Sequence, residues 1–268
     1  MTTTAIFGGG VMGETLLSGL IRSGREVADL VITERRPDHA TVLTQKYGVK
    51  VVDNAEAASL ADVLVLVVKP QDMDGLLAEI HDHIAPGDLV VSLAAGITTE
   101  FLESRLPDGS SVVRVMPNTP ALVDQGMAAI SPGQHCTDEH LTAAQALLES
   151  CGKVVHVPEK YQDAVTAISG SGPAYIFYVV EAMVEAGVVL GLPRATSNEL
   201  VVQTLFGAAT MLKETGEHPT ILRERVSSPG GTTVAALRQL DDHKVRAAFI
   251  TAIEAAARRS SELASGQG

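Results

Sequence analysis

Short apolar runs alternate with helical patterns from the start of the chain to about Pro158. The most constraining run is DVLVLVVKP, residues 62–70, because no polar residue interrupts it between Val63 and Val68. Such runs are typical of strands that are buried on both faces, as in a parallel sheet. Parallel neighbours need a crossover connection, which is usually a helix. The alternation therefore predicts an α/β domain over residues 1–158, with a doubly wound sheet and right-handed crossovers.

The pattern changes after Pro158, where helical periods dominate and no strand-like run with flanking turn signals follows. We predict an all-α C-terminal domain over residues 159–268. Its most hydrophobic segment, Ala174 to Pro193, carries Glu181 and Glu185 one helical turn apart. A membrane span would rarely tolerate both carboxylates, so we interpret this segment as a core or subunit-interface helix.

Composition excludes several classes of protein. The net charge of -12 argues against nucleic acid or an anionic membrane as a partner. The N-terminus has no basic region and no long apolar run, so we expect no signal peptide and a cytoplasmic location.

Cys136 and Cys151 are expected to be reduced thiols, since two cysteines make no disulfide framework in a chain of this length. His81 and His83 are interpreted as a solvated helix end, and we predict no metal site.

A glycine-rich hexapeptide, GGGVMG, follows the first predicted strand. Gly8, Gly10 and Gly13 fit the pattern G-x-G-x-x-G, and Val11 and Met12 open the helix that comes next. In this context the motif predicts a Rossmann-like dinucleotide site, with the pyrophosphate at the helix N-terminus. The alternative is a tight strand-to-helix turn without a ligand.

The end of the second strand bears on the choice of cofactor. An acid at this position hydrogen-bonds the ribose of NADH, whereas an arginine accommodates the 2′-phosphate of NADPH. The chain offers both, because Glu34 is followed by Arg35 and Arg36. We favour NADPH on charge-assisted pairing, and NADH remains possible.

Other candidate residues lie at predicted strand ends, where open α/β sheets bind ligands. Lys69, in Val68-Lys69-Pro70, is either a catalytic acid, a carboxylate anchor or a residue that only touches cofactor or solvent. Ala95-Gly96 follows another strand. Asn118 either holds a nicotinamide amide or caps a turn.

Two glycine-rich turns interrupt the helical region. SGSGPAY, Ser169 to Tyr175, lacks the strand and histidine that a serine hydrolase would need, and is interpreted as a tight or cofactor-facing turn. SSPGGTT, Ser227 to Thr233, precedes a helix whose free N–H groups favour an anion such as a small carboxylate. The alternative for the second turn is a helix N-cap alone.

Together these motifs resemble pyrroline-5-carboxylate reductase. The resemblance runs in order along nearly the whole chain and rests on GGGVMG, VKP, MPNTPAL, SGSGPAY, GLPR, HP and SSPGGTTVAAL. It implies NAD(P)H-dependent reduction of L-1-pyrroline-5-carboxylate to L-proline, the last step of proline biosynthesis. It also implies dimers formed by the helical domain, often assembled further into decamers.

The resemblance also implies roles for particular residues. Ser228 and the backbone N–H groups of Thr232 and Thr233 would hold the substrate carboxylate, and the Thr233 hydroxyl would hydrogen-bond the ring nitrogen. Glu217 would approach the substrate through a dimer partner. Asn54, Val68, Lys69, Pro70 and Ala95 would contact the cofactor.

Two rival interpretations remain at this point. A β-hydroxyacid dehydrogenase has the same domain order but would need a catalytic lysine in the helical domain. Lys160, Lys213 and Lys244 are the lysines there, and none lies in a G-x-x-G-x-G-x-x-x-K context. The other rival is a cofactor-binding regulator without catalysis, against which the polar turn at Ser227–Thr233 argues.

Overall fold

Eight strands form one sheet in the first part of the chain. They are β1 (Thr4–Phe7), β2 (Leu30–Thr33), β3 (Lys50–Val52), β4 (Val63–Leu66), β5 (Leu89–Ser92), β6 (Ser111–Met116), β7 (Gly126–Pro132) and β8 (Gly152–His156). The spatial order in this computed structural model, which describes residues 2–264, is β3-β2-β1-β4-β5-β6-β7-β8. The order reverses direction between β1 and β4, as expected of a doubly wound sheet.

The central strands are buried on both faces, as the apolar runs predict. Every residue of β1, β2, β4 and β5 is buried. Alternate side chains of a strand enter different cores, so that Ile6 packs into one hydrophobic cluster while Ala5 and Phe7 pack into the other. Helices therefore cover both faces, and the predicted fold class is confirmed.

Helices connect the strands and then make up the rest of the chain. Those of the sheet region are α1 (Val11–Arg22), α2 (Pro37–Tyr47), α3 (Asn54–Leu60), α4 (Met73–Ile80), α5 (Thr99–Glu103) and α6 (Asp138–Leu148). Those that follow are α7 (Gln162–Val165), α8 (Gly172–Val189), α9 (Arg194–Thr215), α10 (Pro219–Arg225), α11 (Thr232–Asp242) and α12 (Val245–Ala264).

The sequence pattern missed α3 and the direction of one strand. Helix α3 buries only Ala57 and Ala58, so its apolar face is too small to give a helical period. Strand β7 runs antiparallel to β6, whereas its other neighbour, β8, is parallel. The β6–β7 connection holds only the 3-10 turn Thr119–Val123, and a parallel crossover needs a longer connection.

The chain divides into two compact units. Among the described residues, one unit contains residues 2–171 together with residues 256–264, and the other is Gly172–Ala255. The domain boundary predicted after residue 158 stays a prediction. The segment SGSGP is not a break between helices, because Thr166–Gly170 forms a π-helical turn that follows α7 directly.

Helix α8 departs from the expectation of a core helix. Val184 is its only buried residue, while Phe177, Tyr178 and Val189 are 67%, 74% and 85% exposed. An apolar helix that is exposed in the single chain needs another covering surface, which leaves the subunit-interface interpretation.

A polar cluster ties the chain after β8 to the sheet. Arg114, a buried residue of β6, donates to Oε1 of Glu159 at 3.0 Å. The backbone N–H of Thr99 donates to the same oxygen at 2.8 Å, and its hydroxyl donates to Oε2 at 2.5 Å. Burial raises the pKa of the Glu159 carboxyl, but the hydrogen bonds from Thr99 and Arg114 outweigh it, so that this pKa lies below its ordinary value.

We predict that Glu159→Gln lowers the free energy of unfolding by about 2 kcal/mol at pH 7, because Arg114 then lacks its anionic partner. The folded-state pKa of Glu159 is depressed, so its contribution is present above the unfolded-state pKa of about 4.3 and is lost as pH falls through the folded-state value. Urea unfolding at pH 7 and at about pH 4 should therefore give a smaller difference between wild type and variant at the lower pH. Glu100→Gln, an exposed neighbour, is the control.

Candidate functional site

The carboxyl ends of three adjacent strands lie level with one another. Phe7, the last residue of β1, is in register with Thr33 of β2 and with Leu66 of β4. This is the point at which the strand order reverses, and open α/β sheets bind ligands outside it. The loops that follow these three strands carry most of the residues that the sequence predicts for the cofactor.

The glycine-rich loop brings α1 very close to the end of β1. Gly8 has a φ of 114°, a left-handed conformation that favours glycine. A Cβ on Gly13 would collide with the carbonyl oxygen of Gly8, whereas a Cβ on Gly10 would meet no atom within 4 Å. Gly13 therefore permits close packing of helix on strand, and Gly10 leaves open space at the N-terminus of α1.

A cavity of about 800 Å³ lies beside this loop, and we call it the first cavity. Its wall comes from the glycine loop, the β2–α2 loop, the start of α3 and the chain from the end of β4 into α4. The lining residues are Gly8, Gly9, Gly10, Thr33, Glu34, Arg35, Arg36, Asn54, Val67, Val68, Lys69, Gln71, Asp72, Gly75, Leu76 and Glu79. The predicted residues Gly8, Gly10, Arg35, Arg36, Asn54, Val68 and Lys69 are thus brought together.

Glu34 points inward, against the glycine loop. Its side chain is 7% exposed, and its Oε2 lies 3.0 Å from the place where a Cβ on Gly9 would be. Arg36 holds this carboxylate through its backbone N–H at 2.8 Å, and through Nε and Nη2 at 3.1 Å each. These hydrogen bonds lower the pKa of the Glu34 carboxyl and outweigh the effect of burial. The carboxylate is therefore ionised at neutral pH, and its charge is compensated within the cavity wall.

Three further polar contacts on this wall were not predicted from the sequence. Arg35 pairs with Asp72 across the cavity at 3.1 Å, and the side-chain amide of Asn54 donates to Glu79 at 2.8 Å. Nε2 of His39 lies 2.7 Å from the carbonyl oxygen of Gly9. These partners come from separate loops and helices, so no local pattern could have indicated the pairs.

A second cavity, of about 300 Å³, shares Val67 and Val68 with the first. The predicted residues Met12, Pro70 and Ala95 also line it. A Cβ on Gly170, which lines it as well, would collide with the methyl group of Met116. Because Gly170 has no side chain, the π-helical turn places its backbone against this cavity.

Asn118 is engaged within the protein at the edge of the second cavity. Its amide group donates to the carbonyl oxygen of Ser169 at 3.2 Å, and its Oδ1 accepts from the backbone N–H of Met127 at 2.8 Å. The sequence suggests two roles for Asn118, and these contacts favour that of organising a turn over that of holding a nicotinamide amide.

Three predicted cofactor residues, Val11, Gly13 and Gly96, do not line either cavity. Val11 is 71% exposed at the start of α1. Gly96 has a φ of 76°, and a Cβ there would lie 3.6 Å from Cα of Ala264.

The turn Ser227–Thr233 opens α11 in the other compact unit. Gly230 has a φ of 67°, and the N-cap of α11 is Gly231, with no capping side chain among the described residues. The turn therefore supplies a backbone N-cap, and its interpretation as a helix N-cap alone stays an alternative to that of an anion site. The first N–H groups of a helix have no intrahelical partner, so those of Thr232 and Thr233 are available to an acceptor outside the helix.

The polar residues in and near this turn differ in the hydrogen bonds and ion pairs that they form. The Ser227 hydroxyl donates to the carbonyl oxygen of Arg223 at 2.7 Å, whereas the adjacent Ser228 is exposed. Glu217 forms a bidentate ion pair with Arg225, at 2.5 and 2.7 Å. Within the described residues, no group of three or more His, Cys, Asp or Glu side chains could hold a metal ion.

Comparisons with known proteins cover nearly the whole chain. Residues 159–263 match the family model described as pyrroline-5-carboxylate reductase dimerisation, and residues 3–96 match one described as NADP oxidoreductase, coenzyme F420-dependent. A pyrroline-5-carboxylate reductase of Corynebacterium melassecola is 48% identical, over 98% of this chain and 99% of the relative. The chain belongs to the pyrroline-5-carboxylate reductase family.

Solved structures of this family have the same fold. A pyrroline-5-carboxylate reductase from Coxiella burnetii superposes with a TM-score of 0.94 at 37% identity, covering 98% of both chains. The enzyme from Plasmodium falciparum, solved with NADP bound, gives a TM-score of 0.88 at 28% identity, again over 98% of both chains. Membership of this family confirms the resemblance read from the motifs and sets aside the hydroxyacid dehydrogenase interpretation.

The dimerisation model covers the apolar helix α8. By length and composition, the stretch Glu159–Val189 is the one candidate membrane span among the described residues. The same stretch lies at the start of the residues that match the dimerisation model, which supports an interface between subunits as the cover for its exposed side chains.

We predict that two alanine substitutions in the glycine loop separate packing from ligand binding. Gly13→Ala should lower the free energy of unfolding by about 2 kcal/mol or more, because its Cβ meets backbone that cannot move freely. Gly10→Ala should change stability by less than about 0.5 kcal/mol, yet weaken dinucleotide binding about tenfold by blocking approach to the N–H groups of α1. Urea unfolding and calorimetric titration of each variant make the test. Equal stability of the two variants would contradict the assignment of Gly13 to packing and of Gly10 to ligand binding.

Proposed function

We propose that this protein reduces L-1-pyrroline-5-carboxylate to L-proline with NADPH, the last step of proline biosynthesis. The observation that carries the proposal is the match along nearly the full chain to pyrroline-5-carboxylate reductases, of which the C. melassecola relative is 48% identical. The level strand ends and the open glycine loop support a dinucleotide site of the kind that this reaction needs.

The residues of the two cavities suit the two halves of a dinucleotide. Gly8, Gly10 and Gly13 shape the loop, and the N–H groups at Val11 and Met12 would face the pyrophosphate. Asn54, Val68 and Lys69 line the first cavity, and Pro70 and Ala95 line the second. Gly96 supports the bend after β5. When bound, the cofactor supplies the hydride that reduces the imine carbon.

The charges of the first cavity support NADPH as the preferred cofactor, with NADH also accepted. Glu34 would oppose a 2′-phosphate if it were unpaired, but Arg36 compensates its charge. Arg35 lies at the exposed mouth of the cavity, with its guanidinium held by a single hydrogen bond to Asp72. It is free to exchange that carboxylate for a phosphate, for which guanidinium geometry is well suited.

The substrate would be held by the turn before α11. Ser228 and the N–H groups of Thr232 and Thr233 would bind its carboxylate, because a helix N-terminus favours an anion. The Thr233 hydroxyl would hydrogen-bond the ring nitrogen and polarise the C=N bond toward hydride. Orientation of the imine by the carboxylate site would supply much of the rate, since effective molarities of positioned groups are large.

No residue of the turn is a strong general acid. The proton on the ring nitrogen would come from solvent or from the substrate iminium itself, and Thr233 would keep that nitrogen in a hydrogen bond. Glu217 would approach the substrate of a partner subunit, as the family resemblance implies, with Arg225 fixing its orientation.

The protein would act as a homodimer in the cytoplasm. The dimerisation match over residues 159–263 and the exposed apolar side chains of α8 support subunit association. Assembly of dimers into a decamer is a further part of the proposal. The net charge of -12 supports the absence of nucleic acid and anionic membrane among its partners.

The direct test is oxidation of NADPH and NADH, followed at 340 nm, with L-1-pyrroline-5-carboxylate as substrate. We expect turnover with both cofactors, a higher kcat/KM with NADPH, and no loss of activity after treatment with a chelator. Absence of turnover with either cofactor would refute the proposed function.

We predict that Thr233→Ala lowers kcat/KM by roughly 10- to 100-fold, the effect of one hydrogen bond to a charged or developing centre. Thr233→Ser keeps the hydroxyl and should retain most of the activity. Steady-state kinetics with saturating NADPH measure both variants. A near-wild-type value for Thr233→Ala would remove this residue from the mechanism.

We predict that Ser228→Ala raises KM for the imine about tenfold, because a hydrogen bond to the carboxylate is lost. Ser227→Ala is the matched control, since that hydroxyl already donates to Arg223 and should leave KM unchanged. The same effect from both serines would show that the turn tolerates no substitution and that Ser228 has no special part.

A further inference from the structure

We propose that Asp72 sets how strongly the site prefers NADPH over NADH, by holding Arg35 in an ion pair and by adding a negative charge to the cavity wall. The inference rests on the proposed use of a nicotinamide dinucleotide. It concerns a residue with no part in the reaction itself, located at the 3-10 turn before α4.

The two arginines of the β2–α2 loop are not equally available to a ligand. Arg36 makes its contacts to a carboxylate that is 7% exposed. Departure of the guanidinium would leave that charge with only the backbone N–H of Arg36 and, 3.9 Å away, Nε2 of His39. Arg35 is 78% exposed and has one hydrogen bond to Asp72, at 3.1 Å. Exposed ion pairs contribute little to stability, so Arg35 can leave Asp72 at small cost.

Asp72 and Arg35 approach each other from opposite sides of the first cavity. Arg35 follows β2, Asp72 follows the chain after β4, and both line the cavity. A 2′-phosphate on Arg35 must compete with the Asp72 carboxylate and is repelled by it. A ribose with a free 2′-hydroxyl carries no such charge, so the penalty falls on NADPH alone.

A neighbouring acid, Asp74, makes it possible to distinguish this role of Asp72 from a general effect of negative charge. Asp74 lies two residues further along the chain, is more exposed than Asp72, and pairs with Arg105 at 2.8 Å instead of lining the first cavity. Asp72→Asn and Asp74→Asn therefore remove the same charge from the same helix end. Only the first substitution releases Arg35.

Calorimetric titration of the full-length protein with NADP⁺ and with NAD⁺ tests the proposal without turnover. We expect Asp72→Asn to lower Kd for NADP⁺ by about three- to fivefold and to leave Kd for NAD⁺ unchanged. Asp74→Asn should change neither constant. The gain for NADP⁺ should shrink at about 1 M salt, where the screening length is about 3 Å.

Arg35→Gln completes the experiment. It should weaken NADP⁺ binding, and in that background Asp72→Asn should give a clearly smaller gain, because the two residues are coupled. An equal gain in both backgrounds, an equal effect on NAD⁺, or an equal effect from Asp74→Asn would overturn the proposal. Failure of the proposed function is seen separately, as cofactor binding without turnover of the imine.

Discussion

The close approach of α1 to the end of β1 is the constraint on which the nucleotide side of this structure depends. A side chain on Gly13 would collide with the Gly8 carbonyl oxygen, so the helix can reach the strand only because that residue is glycine. The approach directs the first N–H groups of α1 toward the edge where three strand ends lie level. A cavity of about 800 Å³ opens at that edge.

Charged side chains on the wall of this cavity form two ion pairs. The Glu34 side chain is largely covered and held by Arg36, whereas Arg35 is exposed and pairs with the partly exposed Asp72 across the mouth. The first pair compensates a carboxylate that would otherwise repel a phosphate, and the second keeps a guanidinium near the place where one would bind. The sequence Glu-Arg-Arg, which taken alone is ambiguous between NADH and NADPH, thus divides into one structural arginine and one available arginine.

The helical unit raises a different physical problem. Its apolar residues are abundant, but helices such as α8 leave most of them exposed in the single chain. Contiguous exposed apolar surface marks an interaction site, so these side chains indicate a partner. Membership of a family whose dimerisation model spans residues 159–263 supplies a second copy of the chain as that partner.

The sequence by itself determined the alternation of strands and helices, the glycine loop, and the turn before α11, because each depends on local periodicity or on residues with special backbone freedom. It also indicated the family, whose motifs lie in order along the chain. It missed α3, which has only a small alanine face, and the antiparallel β7, whose direction depends on the length of a connection. Tertiary structure alone decided that Glu34 faces inward with Arg36, that Arg35 reaches Asp72, and that Asn118 is engaged with Ser169 and Met127. Glu34 could pair with either of the two arginines that follow it, and the other partners lie in different elements of the chain. Only the folded backbone determines which of them meet.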